Sequence, residues 1–124
     1  MRLATMIQKI ARSIRIAVGG LGHAYVRDYS FRLEVWSLPI FVLIGYLLWP
    51  LAPWELLVFV FSYLFILVTE LVNTSFEQML ERIHPERHEQ IGISKDIASS
   101  AVLLATVFAI VVVGVLVLGR FGIY

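Results

Sequence analysis

Residues 97–118 read IASSAVLLATVFAIVVVGVLVL and contain no charged side chain. As an α-helix this run extends about 33 Å at 1.5 Å per residue, enough to cross a hydrocarbon core of about 30 Å. The rest of the chain is similar in character, because 60% of its 124 residues are hydrophobic, only 15% are charged, and the mean hydropathy is +0.87. Soluble domains are about 45–50% apolar and about 25% charged. The composition predicts a small membrane protein and excludes a large soluble catalytic domain.

Two further apolar stretches, at 33–49 and 54–81, precede this run. The residues between them, 50–53, form a short turn flanked by Trp49 and Trp54, the aromatic type enriched at lipid–water boundaries. Pro85 is expected to end the second helix, since a proline disfavours helical backbone before it. The sequence therefore predicts an all-α protein with three transmembrane helices at about 33–49, 54–81 and 97–118, and a polar loop at 83–96.

The N-terminal residues differ from the spans, because apolar and basic side chains alternate with a helical period over 1–18. This pattern predicts an amphipathic helix on the membrane surface rather than a cleaved signal peptide, since charges interrupt every apolar run. The glycines at 19, 20 and 22 are expected to break the helix, although they would also let the backbone approach a phosphate. We therefore divide the chain into a surface-helix region, 1–32, and a three-span membrane domain, 33–124.

The basic residues indicate an orientation. Six of the ten precede the first span, none lies in the turn at 50–53, three lie between the second and third spans, and Arg120 follows the third. By the positive-inside rule the N-terminus is predicted to be cytoplasmic and the C-terminus to lie on the outer side. The net charge of +1 offers no bulk attraction for nucleic acid, and the absence of Cys excludes disulfides, iron–sulfur clusters and thiolate zinc sites.

Polar side chains at 70, 73, 77 and 81 are spaced three and four residues apart, so they share one face of the second helix. Counted from Glu55, Glu70 lies about 22 Å and Glu77 about 33 Å along the helix axis. Glu70 is thus expected just inside the cytoplasmic boundary, where an ionisable group indicates function. An alternative for Glu77 and Glu81 is a solvated helix end paired with Arg82 or Arg87.

Other charged residues are predicted to reach the same boundary, namely Asp28, Glu34, Lys95 and Asp96. Clustered carboxylates without thiols suit Mg²⁺, which proteins hold by one or two carboxylates together with substrate phosphates. This chemistry indicates phosphoryl transfer, although the P-loop and protein-kinase motifs are absent. His84 and His88 are interpreted as loop residues, because Pro85 disrupts a helical metal site.

The segments Glu70-Leu-Val-Asn73-Thr-Ser-Phe-Glu77 and Lys95-Asp96-Ile-Ala-Ser-Ser-Ala-Val102 resemble the E-x-x-N-[ST]-x-x-E and K-D-[IM]-x-[SAG]-x-A-V patterns of the prokaryotic diacylglycerol kinase family. The segment at 31–34 also resembles the family's F-R-x-E. The resemblance covers nearly the whole chain. It implies an ATP-dependent lipid kinase of the bacterial cytoplasmic membrane, built as a homotrimeric helical bundle with active sites shared between copies.

Roles for single residues follow from the same resemblance. Glu70 resembles the general base that accepts the lipid hydroxyl proton, with Asn73 beside it in the lipid site. Glu77 and Asp28 resemble the Mg²⁺ ligands. The nucleotide-binding residues implied are Lys95, Asp96, Lys9 and Arg12, and Glu34, Arg32 and Ser99 are supporting candidates.

Two departures from the family pattern bear on these roles. Asp28 stands where the family usually has Glu, and Leu33 stands where the diacylglycerol enzymes commonly have Gln. The resemblance implies diacylglycerol as acceptor, converted to phosphatidic acid, with undecaprenol as the alternative within the family.

Two functions outside the kinase class remain open at the level of sequence. A small proton-coupled oligomeric transporter would use Glu70 as its binding carboxylate, but would place it nearer the midplane with access from both sides. A membrane scaffold would use the carboxylates only to pair with basic residues of other copies.

Overall fold

A computed structural model describes residues 2–86 and 88–123, and within them the chain is all-α. The helices are α1 (Arg2–Arg27), α2 (Tyr29–Trp36), α3 (Leu38–Leu47), α4 (Pro53–Ile83) and α5 (Glu89–Arg120). Three segments are long and apolar enough to cross a membrane, and they are 29–47, 53–83 and 89–120. The predicted architecture of three spans behind an N-terminal helix is confirmed.

α1 runs without a break through its three glycines, so the break expected at 19–22 is wrong. A glycine inside a helix costs only about 1 kcal/mol relative to alanine. The apolar period of the first turns continues through Leu21 to Ala24, and Ala24 is buried. The helix ends instead at Asp28, whose backbone is extended (φ −107°, ψ 112°) and whose side chain caps α2.

The first span consists of two short helices, α2 and α3, which meet at Ser37. Pro39 is the second residue of α3, where it lacks the N–H that would continue the hydrogen bonding of α2. The carbonyl oxygen of Glu34 accepts two hydroxyl hydrogen bonds, from Ser37 Oγ (2.6 Å) and Tyr63 Oη (2.7 Å). Tyr63 lies on α4, so its bond fixes this junction against the second span.

α4 and α5 are longer than the membrane requires. With 31 residues, α4 extends about 46 Å, or roughly three turns beyond a hydrocarbon core of about 30 Å. It ends at Ile83 ahead of Pro85, as predicted. α5 begins at Glu89, so the loop expected over 83–96 is wrong in extent. His84 and His88 lie outside the two helices, as expected for loop residues, and His88 Nδ1 accepts from the backbone N–H of Gln90 (3.2 Å), which caps α5.

The core lies mainly between α4 and α5. Ile66 packs against Ala105 and Ala109, small residues that allow the two helices to approach closely. Toward the C-terminal end of α5, Leu48, Phe59, Val112 and Leu116 form a second cluster. There Arg120 donates hydrogen bonds to the carbonyl oxygens of Leu48 and Pro50, which joins the end of α5 to the turn before α4.

Aromatic stacking fixes α3 against α4. The rings of Phe41 and Phe59 are stacked with their centroids 3.9 Å apart. A Cβ added at Gly45 would lie 2.9 Å from Cε1 of Phe59, which is closer than real side chains approach. Gly45 is therefore required by the close approach of α3 to the Phe59 ring.

We predict that Gly45→Ala destabilises the protein by about 1–3 kcal/mol, the usual cost of overpacking. Gly114→Ala is the matched control, because nothing lies within 4 Å of its added Cβ and alanine is the better helix former by about 1 kcal/mol. Thermal unfolding of both variants in the same detergent is the measurement. Equal melting temperatures for the two would contradict the proposed contact.

Candidate functional site

A single stretch of α4 carries most of the buried polar side chains of the described chain. Glu70, Asn73 and Thr74 are only 5%, 8% and 8% exposed. Their spacing of three and four residues places them on one face of α4, and that face meets the corner between α1 and α2. Burial of a carboxyl group costs free energy unless the group has polar partners. The α1–α2 corner supplies such partners.

Asp28 forms that corner. Its Oδ1 accepts the backbone N–H of Ser30 at 3.0 Å, the N-cap bond of α2. Its Oδ2 accepts a short hydrogen bond from the hydroxyl of Thr74 on α4. The carboxyl groups of Asp28, Glu34 and Glu77 all lie near enough to that of Glu70 to interact with it electrostatically.

Glu77 extends the site by two turns of α4 from Glu70. Its Oε1 accepts a long hydrogen bond, 3.5 Å, from Nδ2 of Asn73. The other amide atom, Asn73 Oδ1, is buried and has no hydrogen-bond partner in the part of the chain that the structure describes. Asn73 therefore has an acceptor left to receive a hydrogen bond from a bound group.

An open cleft of about 800 Å³ lies beside these residues at the α1–α2 corner. Both Asp28 and Glu77 line it, together with the cationic side chains of Arg27 and Arg82. Among residues 2–86 and 88–123, no three His, Asp or Glu side chains lie close enough to hold a metal ion by themselves. The cleft thus combines three carboxylates, since Glu81 also lines it, with two guanidinium groups at the end of the bundle.

A lysine near the start of α5, Lys95, lies at the rim of this cleft. Lys95 Nζ lies 3.1 Å from Oε1 of Glu81, which lines the cleft. Glu81 is thus paired with Lys95 rather than with Arg82, and Arg87, the other expected partner, lies outside the described residues. Asp96 is exposed, and the hydroxyl of Ser99 donates to the carbonyl oxygen of Lys95 at 3.0 Å.

Comparison with known proteins identifies the family of this chain. The model of the family described as prokaryotic diacylglycerol kinase matches residues 15–118. The chain belongs to this family. It is 29% identical to the diacylglycerol kinase of Escherichia coli (strain K12) over 95% of this chain and 96% of the relative. It is also 29% identical to that of Haemophilus influenzae, over 82% and 85%, and 30% identical to that of Synechocystis, over 86% and 61%.

Membership in the diacylglycerol kinase family makes the chain a membrane-bound, ATP-dependent lipid kinase. Within the single chain, however, the candidate residues are not all brought together. Asp28, Glu34, Glu70, Asn73 and Glu77 converge at the α1–α2 corner, whereas Lys95 lies at the rim.

Lys9 and Arg12 are exposed on the N-terminal half of α1, far from that corner. Sixteen residues separate Arg12 from Asp28, a distance of about 24 Å along a continuous helix. Arg32 lies on α2, with its guanidinium 5.9 Å above the ring of Tyr29. Its Nε atom is buried without a hydrogen-bond partner among the described residues.

Thr74 and Tyr63 take part in the site although the sequence analysis gave them no role. Thr74 stands at the [ST] position of the diacylglycerol kinase motif, four residues after Glu70 and hence on the same helix face. That spacing was a usable signal for Thr74. Tyr63 lies seven residues, or about two helical turns, before Glu70 and so on the same face of α4. Its role was harder to predict, because its partner is a backbone carbonyl, which no sequence pattern identifies.

Proposed function

We propose that the protein transfers the γ-phosphate of ATP to the hydroxyl of diacylglycerol, with undecaprenol as the alternative acceptor. The observation that carries this proposal is the burial of Glu70 among Asp28, Glu34 and Glu77, at the end of α4 where the chain's charged residues collect. The relatives in Escherichia coli, Haemophilus influenzae and Synechocystis are all named diacylglycerol kinases, which supports diacylglycerol over undecaprenol.

Glu70 is suited to act as the general base. It lies about 22 Å along α4 from Glu55, so a lipid hydroxyl at the inner boundary of the bilayer can reach it without leaving the membrane. Removal of the hydroxyl proton makes the lipid oxygen a better nucleophile toward the γ-phosphorus. Asn73 is proposed to lie beside Glu70 in the same lipid site.

Asp28 and Glu77 are proposed to hold Mg²⁺. The cleft offers the carboxylates of Asp28, Glu77 and Glu81 together with the imidazole of His23. Two carboxylates are the number that proteins commonly give to Mg²⁺ when phosphates supply further ligands. A divalent cation held by Asp28 and Glu77 would relieve the repulsion that both carboxylates exert on Glu70. The carboxylates present therefore fit the ion. When bound, Mg²⁺ supplies charge neutralisation for the phosphates.

Cationic side chains are proposed to hold the nucleotide. Lys95 is placed at the cleft rim by Glu81, within reach of a triphosphate that enters the cleft, and Asp96 and Ser99 follow it on α5. We propose that Lys9 and Arg12 serve the site of a neighbouring copy, since their own α1 holds them far from Asp28. Glu34 and Arg32 support the corner from α2.

The neighbouring copies are proposed to form a homotrimer. α4 carries a stripe of exposed apolar residues that are three or four residues apart over 57–72 and end two turns later at 79. The stripe comprises Leu57, Phe61, Leu64, Val68, Val72 and Met79, of which Phe61 makes an edge contact with Phe108 of α5. Such spacing is typical of helices that pack against each other at a shallow angle. The N-terminus and the 84–88 loop are proposed to face the cytoplasm, and the C-terminus the outer side, of the bacterial cytoplasmic membrane.

We predict that Glu70→Gln lowers lipid phosphorylation at least about a hundredfold, because general base catalysis commonly contributes 10²–10⁴ in rate. The measurement is transfer of labelled phosphate from ATP to diacylglycerol, and separately to undecaprenol, by purified protein in lipid. Glu55→Gln, at the opposite end of α4, is the control and is expected to retain activity. Activity of Glu70→Gln within a few-fold of the unaltered protein would remove Glu70 from this role.

Asp28→Asn and Glu77→Gln are predicted to raise the Mg²⁺ concentration for half-maximal activity about tenfold or more, since each loses a charged ligand oxygen. Asn is a good N-cap residue, so Asp28→Asn keeps the start of α2. The experiment titrates Mg²⁺ at saturating ATP and lipid, with the exposed Glu86→Gln as control. An unchanged titration for both variants would count against the ligand assignment.

The chain has no Cys, which allows a clean test of the trimer. Val72→Cys, on the exposed stripe of α4, is expected to cross-link between copies with a short bis-maleimide, whereas Leu43→Cys on α3 is expected to remain uncross-linked. Sedimentation in density-matched detergent should give the mass of three chains. A single-chain mass, or equal cross-linking at both positions, would contradict the proposed assembly.

A further inference from the structure

The hydroxyl of Thr74 bonds differently from the other described threonine and serine hydroxyls of the two long helices. Within a helix such hydroxyls usually donate to the carbonyl oxygen three or four residues earlier. Thr69 donates to the carbonyl oxygen of Ile66, and Thr106 to that of Val102, both at 2.9 Å. Thr74 instead donates across to Asp28 on a different part of the fold.

The result is that both oxygens of the Asp28 carboxylate are held. Oδ1 accepts the N–H of Ser30 and Oδ2 accepts the hydroxyl of Thr74. A carboxylate oxygen has two lone pairs, so each oxygen keeps one for a further partner. Because the two bonds come from α2 and α4, the carboxylate is fixed in rotation while it still lines the cleft that Glu77 also lines.

The length of the side chain makes this orientation important. Asp is one methylene shorter than Glu, the residue that the family usually has at this position, so Asp28 reaches less far from its backbone. The bond to Thr74 connects it to the helix that carries Glu77. Partners of metal ligands that act in this way typically change metal affinity by 10–100-fold when removed.

We propose that Thr74 is a positioning residue of the divalent-cation site, whose hydroxyl orients the Asp28 carboxylate toward a cation shared with Glu77. This inference rests on the proposed function only in its choice of cation ligands. Thr74 contacts neither the cation nor the lipid.

The test compares Thr74→Val, which keeps the shape and removes the hydroxyl, with Thr74→Ser, which keeps the hydroxyl. Mn²⁺ is the probe, and its binding to the full-length protein in micelles, with ADP present, is followed by electron paramagnetic resonance. We expect Thr74→Val to weaken Mn²⁺ binding about tenfold or more, and Thr74→Ser to restore it to within about threefold. Thr106→Val is the matched control, since it removes an equivalent hydroxyl far from the cleft.

Enzyme kinetics provides a second measurement. The Mg²⁺ concentration for half-maximal activity of Thr74→Val should rise more than its KM for lipid, a split that general loss of folding would not produce. Thr74→Ala removes the same hydroxyl without added bulk and carries the comparison if Thr74→Val is not recovered folded.

Unaltered Mn²⁺ binding in either hydroxyl-less variant would overturn the inference, as would the absence of saturable Mn²⁺ binding in the unaltered protein. Weakened Mn²⁺ binding that Thr74→Ser restores supports it even if no lipid is phosphorylated. That last result would contradict the proposed function alone, so the two failures are distinguishable.

Discussion

The junction between the α1–α2 corner and α4 is the contact on which the site depends. It is made by a few polar bonds, the hydroxyl of Thr74 to Asp28 and the hydroxyl of Tyr63 to the carbonyl oxygen of Glu34. Both donors are buried side chains of α4. One acceptor, Asp28, precedes the first span, and the other, Glu34, lies near the start of that span on α2. Loss of these bonds would leave Glu70 buried on α4 without the carboxyl groups that define the cleft.

Burial of acidic groups at this junction opposes folding, because each carboxyl loses hydration and repels its neighbours. The chain reduces this cost by placing the acidic groups near the end of the hydrocarbon core rather than at its centre. α4 and α5 each continue several turns beyond the length needed to cross the hydrocarbon core, and the acidic cluster lies at the start of that extension. In the proposed topology, eight of the nine acidic residues and nine of the ten basic residues lie on the cytoplasmic side. The net charge of +1 conceals this asymmetry.

Much of this arrangement could be predicted from the sequence. Apolar runs near 20 residues specify spans because the bilayer imposes a length, and the three-and-four spacing of Glu70, Asn73 and Glu77 specifies a common face. What could not be predicted depends on contacts between elements. The glycines of α1 carry no signal that distinguishes a tolerated helical glycine from a break, and the early start of α5 depends on a cap by His88. The partner of Thr74 lies 46 residues away.

The continuity of α1 has a consequence for how the proposed site is completed. Had the glycines broken the helix, the basic N-terminal half could have folded back over its own cleft. A helix of 26 residues without a break is instead a stiff arm of about 39 Å, anchored near Ala24 and exposed along its N-terminal half. The cations of Lys9 and Arg12 are therefore held away from Asp28 of the same chain, and the nearest phosphates they can meet are those of lipid headgroups or of a nucleotide bound by another copy. In the proposed assembly, Lys9 and Arg12 of another copy would add to the cations that each cleft already has from its own chain, Arg27, Arg82 and Lys95, which would let a chain this small and apolar bind a triphosphate with few charged residues.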